Sequence, residues 1–134
     1  MKNFISLFIL FFSLTTFAQS MGDQTVIQRS LYTNTEKETI FENFKKDIPT
    51  IGMTAEVEKM YSDIISSNFT KMVILNKDKN NTKKELKQRL KRVLEDQKVE
   101  LKKMLTYDQF KRHQQIYKPI IVSIRSRIDN YEIR

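Results

Sequence analysis

Apolar positions recur at helical spacing along most of this chain. Ile40, Phe41, Phe44 and Ile48 stand at i, i+1, i+4 and i+8, one face of a short helix. Thr35 and Glu38 have the capping-box spacing that would start it. Pro49 would end it, because the residue before a proline is pushed out of the helical region. Thr54 is the expected N-cap of a second helix, with Glu56 in its positive first turn. Val57, Met60, Tyr61, Ile64, Ile65, Asn68, Phe69, Met72, Val73 and Leu75 then keep helical spacing to about Asn76. From Met60 to Val73 these positions sweep roughly 220° of arc, whereas burial against one neighbour needs little more than about 100°. Residues 77–81 read as a turn. Thr82 with Glu85 is a second capping box, and Leu86, Leu90, Val93, Leu94, Gln97, Leu101 and Met104 give a narrow stripe. Two helices of equal length, 54–76 and 82–104, about 35 Å each, joined by a short turn, predict a long antiparallel hairpin.

Residues 105–110 specify a helix break without glycine or proline. Thr106 is the expected N-cap and Gln109 its reciprocal partner, while Leu105 and Phe110 have the spacing of a hydrophobic staple. The next helix carries Phe110, Ile116 and Tyr117, and Pro119 is expected to kink or restart it. Ile120, Ile121, Ile124, Ile128 and Tyr131 continue the spacing, although the β-branched run at 120–122 leaves a strand open there. The fold class read from this pattern is all-α: a hairpin preceded by a short helix and followed by a bent one, over residues 35–134. Residues 19–34 show no period and are expected to form a flexible arm, with Val26, Ile27 and Leu31 making occasional contact.

Residues 1–18 differ in kind. A charged start, an apolar run of about 11 residues and a small-residue end describe a secretory signal peptide with a cut after Ala18. The run is too short to span a bilayer, which takes about 20 residues. The expected product is a periplasmic or secreted chain with no membrane span. Its apolar share, about 35%, is thin for a sphere and better suited to an elongated hairpin or a dimer.

Composition narrows the chemistry. The 134 residues include one His and no Cys, so thiolate metal sites, disulfides and thiol nucleophiles are excluded. Two glycines leave no phosphate-cradling loop. No Ser/His/acid or paired-carboxylate arrangement is recognisable, so no enzyme, cofactor or metal is expected. His113 reads as a surface or boundary residue. A metal role would need it with Asp108 or Glu132. Asn68 and Asn80 begin glycosylation triplets, but Asn68 falls on a buried face and Thr82 is already a cap, so neither is expected to be modified. The net charge is +8, and residues 77–103 carry 11 basic and 5 acidic side chains. A basic helical chain raises nucleic acid as a partner, but export and the lack of a binding motif speak against it.

Leu105-Thr106-Tyr107-Asp108-Gln109 resembles the LTxxQ motif of the Spy/CpxP-like periplasmic family. Met53-Thr54-Ala55-Glu56-Val57 stands where that family has an upstream copy, with Met53 for its Leu and Val57 for its Gln. The resemblance covers roughly residues 51 to 118. It implies an all-helical hairpin that pairs into a cradle-shaped dimer. It also implies an envelope stress protein that holds unfolded clients without ATP, or a regulator of an envelope sensor. Some members bind metals. Met53, Thr54, Leu105, Thr106, Gln109 and Phe110 are carried over as structural residues.

Two surfaces are candidates for binding. Lys84, Lys87, Lys91, Lys98 and Lys102 fall within about 60° of arc beside the apolar stripe of helix 82–104. Such a flank would attract acidic clients and let apolar contacts complete the binding, or it would simply be solvated. Ile65, Phe69, Met72 and Val73 form the surplus apolar surface of the second helix, read as a homodimer interface, as core, or as a client surface. The function expected from these features is an ATP-independent holding chaperone or envelope-stress binding protein. The alternative is a non-catalytic envelope adaptor or sensor-regulating protein with one fixed partner.

Overall fold

A computed structural model of the chain describes residues 29–76 and 81–131. The expected signal peptide, most of the expected arm, most of the 77–81 turn, and Glu132 lie outside the described residues. Within them run four α-helices, α1 (Asn34–Asp47), α2 (Ala55–Val73), α3 (Lys83–Met104) and α4 (Tyr107–Asp129), with a 3-10 turn at Ile48–Ile51. The fold is all-α. The one non-helical pairing among the described residues is an antiparallel bridge between Ser30 and Ile74. No described helix is long and apolar enough to cross a membrane.

The start of α1 corrects the sequence reading. Its N-cap is Thr33, not Thr35, and the reciprocal partner is Glu36, not Glu38. The Thr33 amide donates to the Glu36 carboxylate at 2.8 Å, and the Glu36 amide donates to the Thr33 hydroxyl at 3.2 Å. Both threonines satisfy the same spacing rule. The earlier one is selected because Tyr32 beside it is buried in the core and Arg127 of α4 ion-pairs with Glu36. Thr35 lies inside the helix, where its carbonyl accepts from the Thr39 hydroxyl at 3.0 Å.

Residues 29–34 are therefore not part of a flexible arm. Leu31 donates its amide to the Val73 carbonyl at 2.9 Å, and Leu75 donates to the Arg29 carbonyl at 2.7 Å. These two bonds also explain why α2 stops at Val73 instead of reaching Asn76. Ile74 is already extended, and its carbonyl accepts from the Arg89 guanidinium on α3. The Tyr32 ring meets Phe69 at 5.8 Å between centroids, and its hydroxyl bonds Ser123 of α4 at 2.7 Å.

That segment, with α1, changes the meaning of the wide apolar arc on α2. Ile65, Phe69, Met72 and Val73 are 2%, 1%, 0% and 1% exposed. They are core of the single chain, not an interface or a client surface. Phe41 of α1 lies edge-on to Phe69 at 5.0 Å, and Phe44 lies 6.3 Å from Tyr61 and 5.8 Å from Tyr117. A helix apolar over so wide an arc is satisfied by neighbours on more than one side.

Pro49 opens the 3-10 turn after α1, and Gly52 closes it at φ 77°. That left-handed conformation is the reason a glycine stands here. Thr54 then caps α2 by accepting from the Val57 amide at 3.3 Å. The Met72–Ile74 end of α2 lies against Arg89, and Asn68 bonds Gln97 at 3.0 Å, so α2 and α3 run in opposite directions. Asn81 holds the far ends together. Its side-chain oxygen accepts from the Asn76 amide at 3.0 Å, and its nitrogen donates to the Asn76 carbonyl at 2.8 Å. Thr82 caps α3 through the Glu85 amide at 3.1 Å, but the reciprocal Glu85 bond of the expected box is not formed.

Helix α4 settles the 120–122 ambiguity as helix and does not restart at Pro119. Ile116, Ile120, Ile124 and Ile128 are buried along one face. Pro119 is on the solvent side, as is Gln115, whose carbonyl loses its i+4 donor there. Water can hydrate that carbonyl.

Two substitutions test this architecture. Tyr32→Ala should lower the unfolding free energy in urea by about 3 kcal/mol or more, as a large buried aromatic does. A free arm would give almost no change. Gly52→Ala should cost about 1 kcal/mol from backbone strain alone, since an added Cβ would meet nothing within 4 Å.

Candidate functional site

The lysine flank becomes one wall of a groove. On α3, Leu86, Leu90, Gln97 and Leu101 are buried toward the core, and the lysines emerge from the adjacent strip. On α4, burial of Ile120, Ile124 and Ile128 places Arg125 and Asp129 on the flank facing α3. The connection at Leu105–Thr106 is short, so α4 returns along α3 and the two flanks oppose each other. Between them lies an open groove of about 590 Å³. Lys87, Lys91, Lys98 and Glu95 line it from α3, and Arg125 and Asp129 from α4. Leu90 and Leu94 supply its apolar floor.

The five expected lysines are all exposed, but the structure does not use them alike. Lys87, Lys91 and Lys98 share the groove. Lys84 does not line it. Lys102 lies 5.5 Å over the Phe110 ring at the opposite end of α3. Lys87 also pairs with Asp129 at 2.9 Å, both side chains being largely exposed, so the pair contributes at most about 1 kcal/mol. Arg125, Glu95 and Asp129 were missed in the sequence. The signal for the α4 pair was the phase of its isoleucines, which assigns positions 125 and 129 to a flank.

The motif residues gather at a second place. Thr106 donates its amide to Gln109 Oε1 at 3.0 Å, and Gln109 returns its own amide to the Thr106 hydroxyl at 3.2 Å. Gln109 Nε2 donates to the Gly52 carbonyl at 3.1 Å. One side chain thus completes the cap of α4 and ties it to the turn before α2, immediately ahead of Met53 and Thr54. Arg112 adds a bond to the Thr50 hydroxyl at 3.0 Å. Leu105 is buried, while Met53 and Phe110 are half-buried against the core. The six residues make a junction, and no reactive group is presented there.

His113 is a correction. It is 4% exposed, not a surface or boundary residue. Its Nδ1 is 2.6 Å from the Tyr61 hydroxyl, and its ring stacks on Tyr117 at 5.2 Å. Burial lowers its pKa to about 4 and raises those of Tyr61 and Tyr117. The Tyr117 hydroxyl faces the Gln97 amide without a hydrogen bond of normal geometry. Among the described residues no three His, Asp or Glu side chains gather where a metal ion could bind. The chain matches no protein-family model, no curated protein and no solved structure.

The His113 site sets a pH dependence. An unfolded histidine takes its proton near pH 6.5, and the folded one only near pH 4. Between these values the unfolded state binds more protons, so stability falls as pH drops through the window. The contribution is about 3 kcal/mol in full. Urea unfolding from pH 7 to pH 4 should show the loss, and His113→Gln should remove that part of the slope. An unchanged slope in the variant would assign the acid sensitivity to other groups.

Proposed function

We propose that this chain is an exported, non-catalytic binding protein that holds unfolded clients without ATP. The observation that carries the reading is the groove between α3 and α4, where three lysines and an arginine surround a leucine floor. Charges of this kind raise encounter rate and local concentration more than final affinity. The leucines and the methylene stems of the lysines supply apolar contact. Capture is then weak and multi-point, and release needs no nucleotide. The signal-peptide pattern of residues 1–18 supports export, and the LTxxQ resemblance supports an envelope-stress setting. The homodimer implied by that resemblance would need a surface other than Ile65, Phe69, Met72 and Val73, which are core.

The test is the aggregation of two unrelated denatured proteins, followed by light scattering with the protein added at low and high salt. The expected result is suppression of both, weaker at high salt. Reversing Lys87, Lys91 and Lys98 to Glu should abolish most of the effect while leaving the unfolding free energy within about 1 kcal/mol, since the three are exposed. No suppression at several-fold molar excess rejects the holding reading in favour of an adaptor with one fixed partner.

A further inference from the structure

The groove has a shape and a charge pattern that select among clients. Lys87, Lys91 and Lys98 stand at i, i+4 and i+11 on α3, within about 40° of arc and about 17 Å along the axis. Leu90 and Leu94, one turn apart, run parallel to them. Arg125 adds a cation from the opposite wall, against the two carboxylates Glu95 and Asp129. Both walls are helices, and neither presents a strand edge to which an extended peptide could add main-chain bonds.

A second copy of this groove would bring like charges together, so self-association through it is disfavoured. An extended client would place alternate side chains on opposite faces, at a repeat that does not match one helical turn. A helix with carboxylates at i, i+4 and i+11, beside leucines at i and i+4, matches both rows at once. Resting on the holding reading of the same groove, we infer that its preferred occupant is an acidic amphipathic helix of about three turns, formed by the client as it binds. Its carboxylates meet Lys87, Lys91, Lys98 and Arg125, and its apolar row lies on Leu90 and Leu94. At Lys87 the client's carboxylate takes the place of Asp129 on the ammonium, an exchange between two exposed groups.

Three fluorescein-labelled peptides of equal length test this. The first carries Glu and Leu in the helical register just described. The second has the same composition with the register scrambled. The third has Lys in place of Glu. Anisotropy titrations with the protein should give binding of the first at least about tenfold tighter than the second, weakening with salt, and no binding of the third. Circular dichroism should show helix gained by the first peptide on binding. Lys91→Glu and Arg125→Glu, both exposed on the groove, should each weaken the first peptide toward the level of the second. Equal affinity for the first and second peptides overturns the helical selection, even if aggregation suppression is observed. Binding to vesicles of anionic phospholipid with no peptide binding overturns it also and assigns the groove to a lipid surface. Loss of aggregation suppression with the peptide preference intact rejects the holding function alone.

Discussion

Ile65, Phe69 and Met72 give α2 more apolar surface than a single neighbouring helix can cover, and the remaining elements are arranged by the need to cover it. Helix α3 takes one side, with Asn68 and Gln97 matched across the seam. Phe41 and Phe44 of α1 take another. Tyr32 closes over Phe69, and α4 meets α2 through His113, whose ring lies edge-on to Tyr61. Helices α3 and α4 each keep a flank turned to solvent, where Lys87, Lys91, Lys98 and Arg125 are exposed. The groove lies between those flanks. Its basic rim stays exposed to solvent, with Lys87 paired to Asp129.

The junction at Gln109 serves this arrangement. The carboxamide has an acceptor and a donor at opposite ends, and both are used: one within the cap of α4, the other on the Gly52 carbonyl. A glutamate could accept from Thr106 but could not donate to Gly52. The left-handed Gly52 sets that carbonyl where Gln109 can reach it. A local capping pattern thereby becomes a long-range contact between two turns 57 residues apart. Ile51, Leu101 and Leu105 are buried at this end, and the polar tie adds a fixed contact to that packing.

The helices and their caps at Thr54, Thr82 and Thr106 were legible in the sequence because each rests on local chemistry. What escaped depends on tertiary contact. Thr33 and Thr35 satisfy the same rule, and only the burial of Tyr32 and the reach of Arg127 select between them. Leu31 and Tyr32 are too few to show a period, so the segment that covers Phe69 read as mobile and the helix it covers read as over-supplied. His113 stands three residues after Phe110 and four before Tyr117. That phase points inward, but a polar side chain masked it. For the groove, the α3 wall was visible as a lysine row. The α4 wall required knowing which flank of the isoleucine helix meets α3.

Tyr32 joins Ser123, and Glu36 joins Arg127, across 91 positions of chain in each case. A ribosome delivers the N-terminal member of each pair long before the C-terminal one. Until α4 emerges, Tyr32 has no hydroxyl partner, Thr33 has no ion pair reinforcing its cap, and Tyr61 lacks the His113 ring that packs against it. The nascent chain therefore carries part of the apolar face of α2 uncovered until α4 is made, and the closing step of folding waits on that helix.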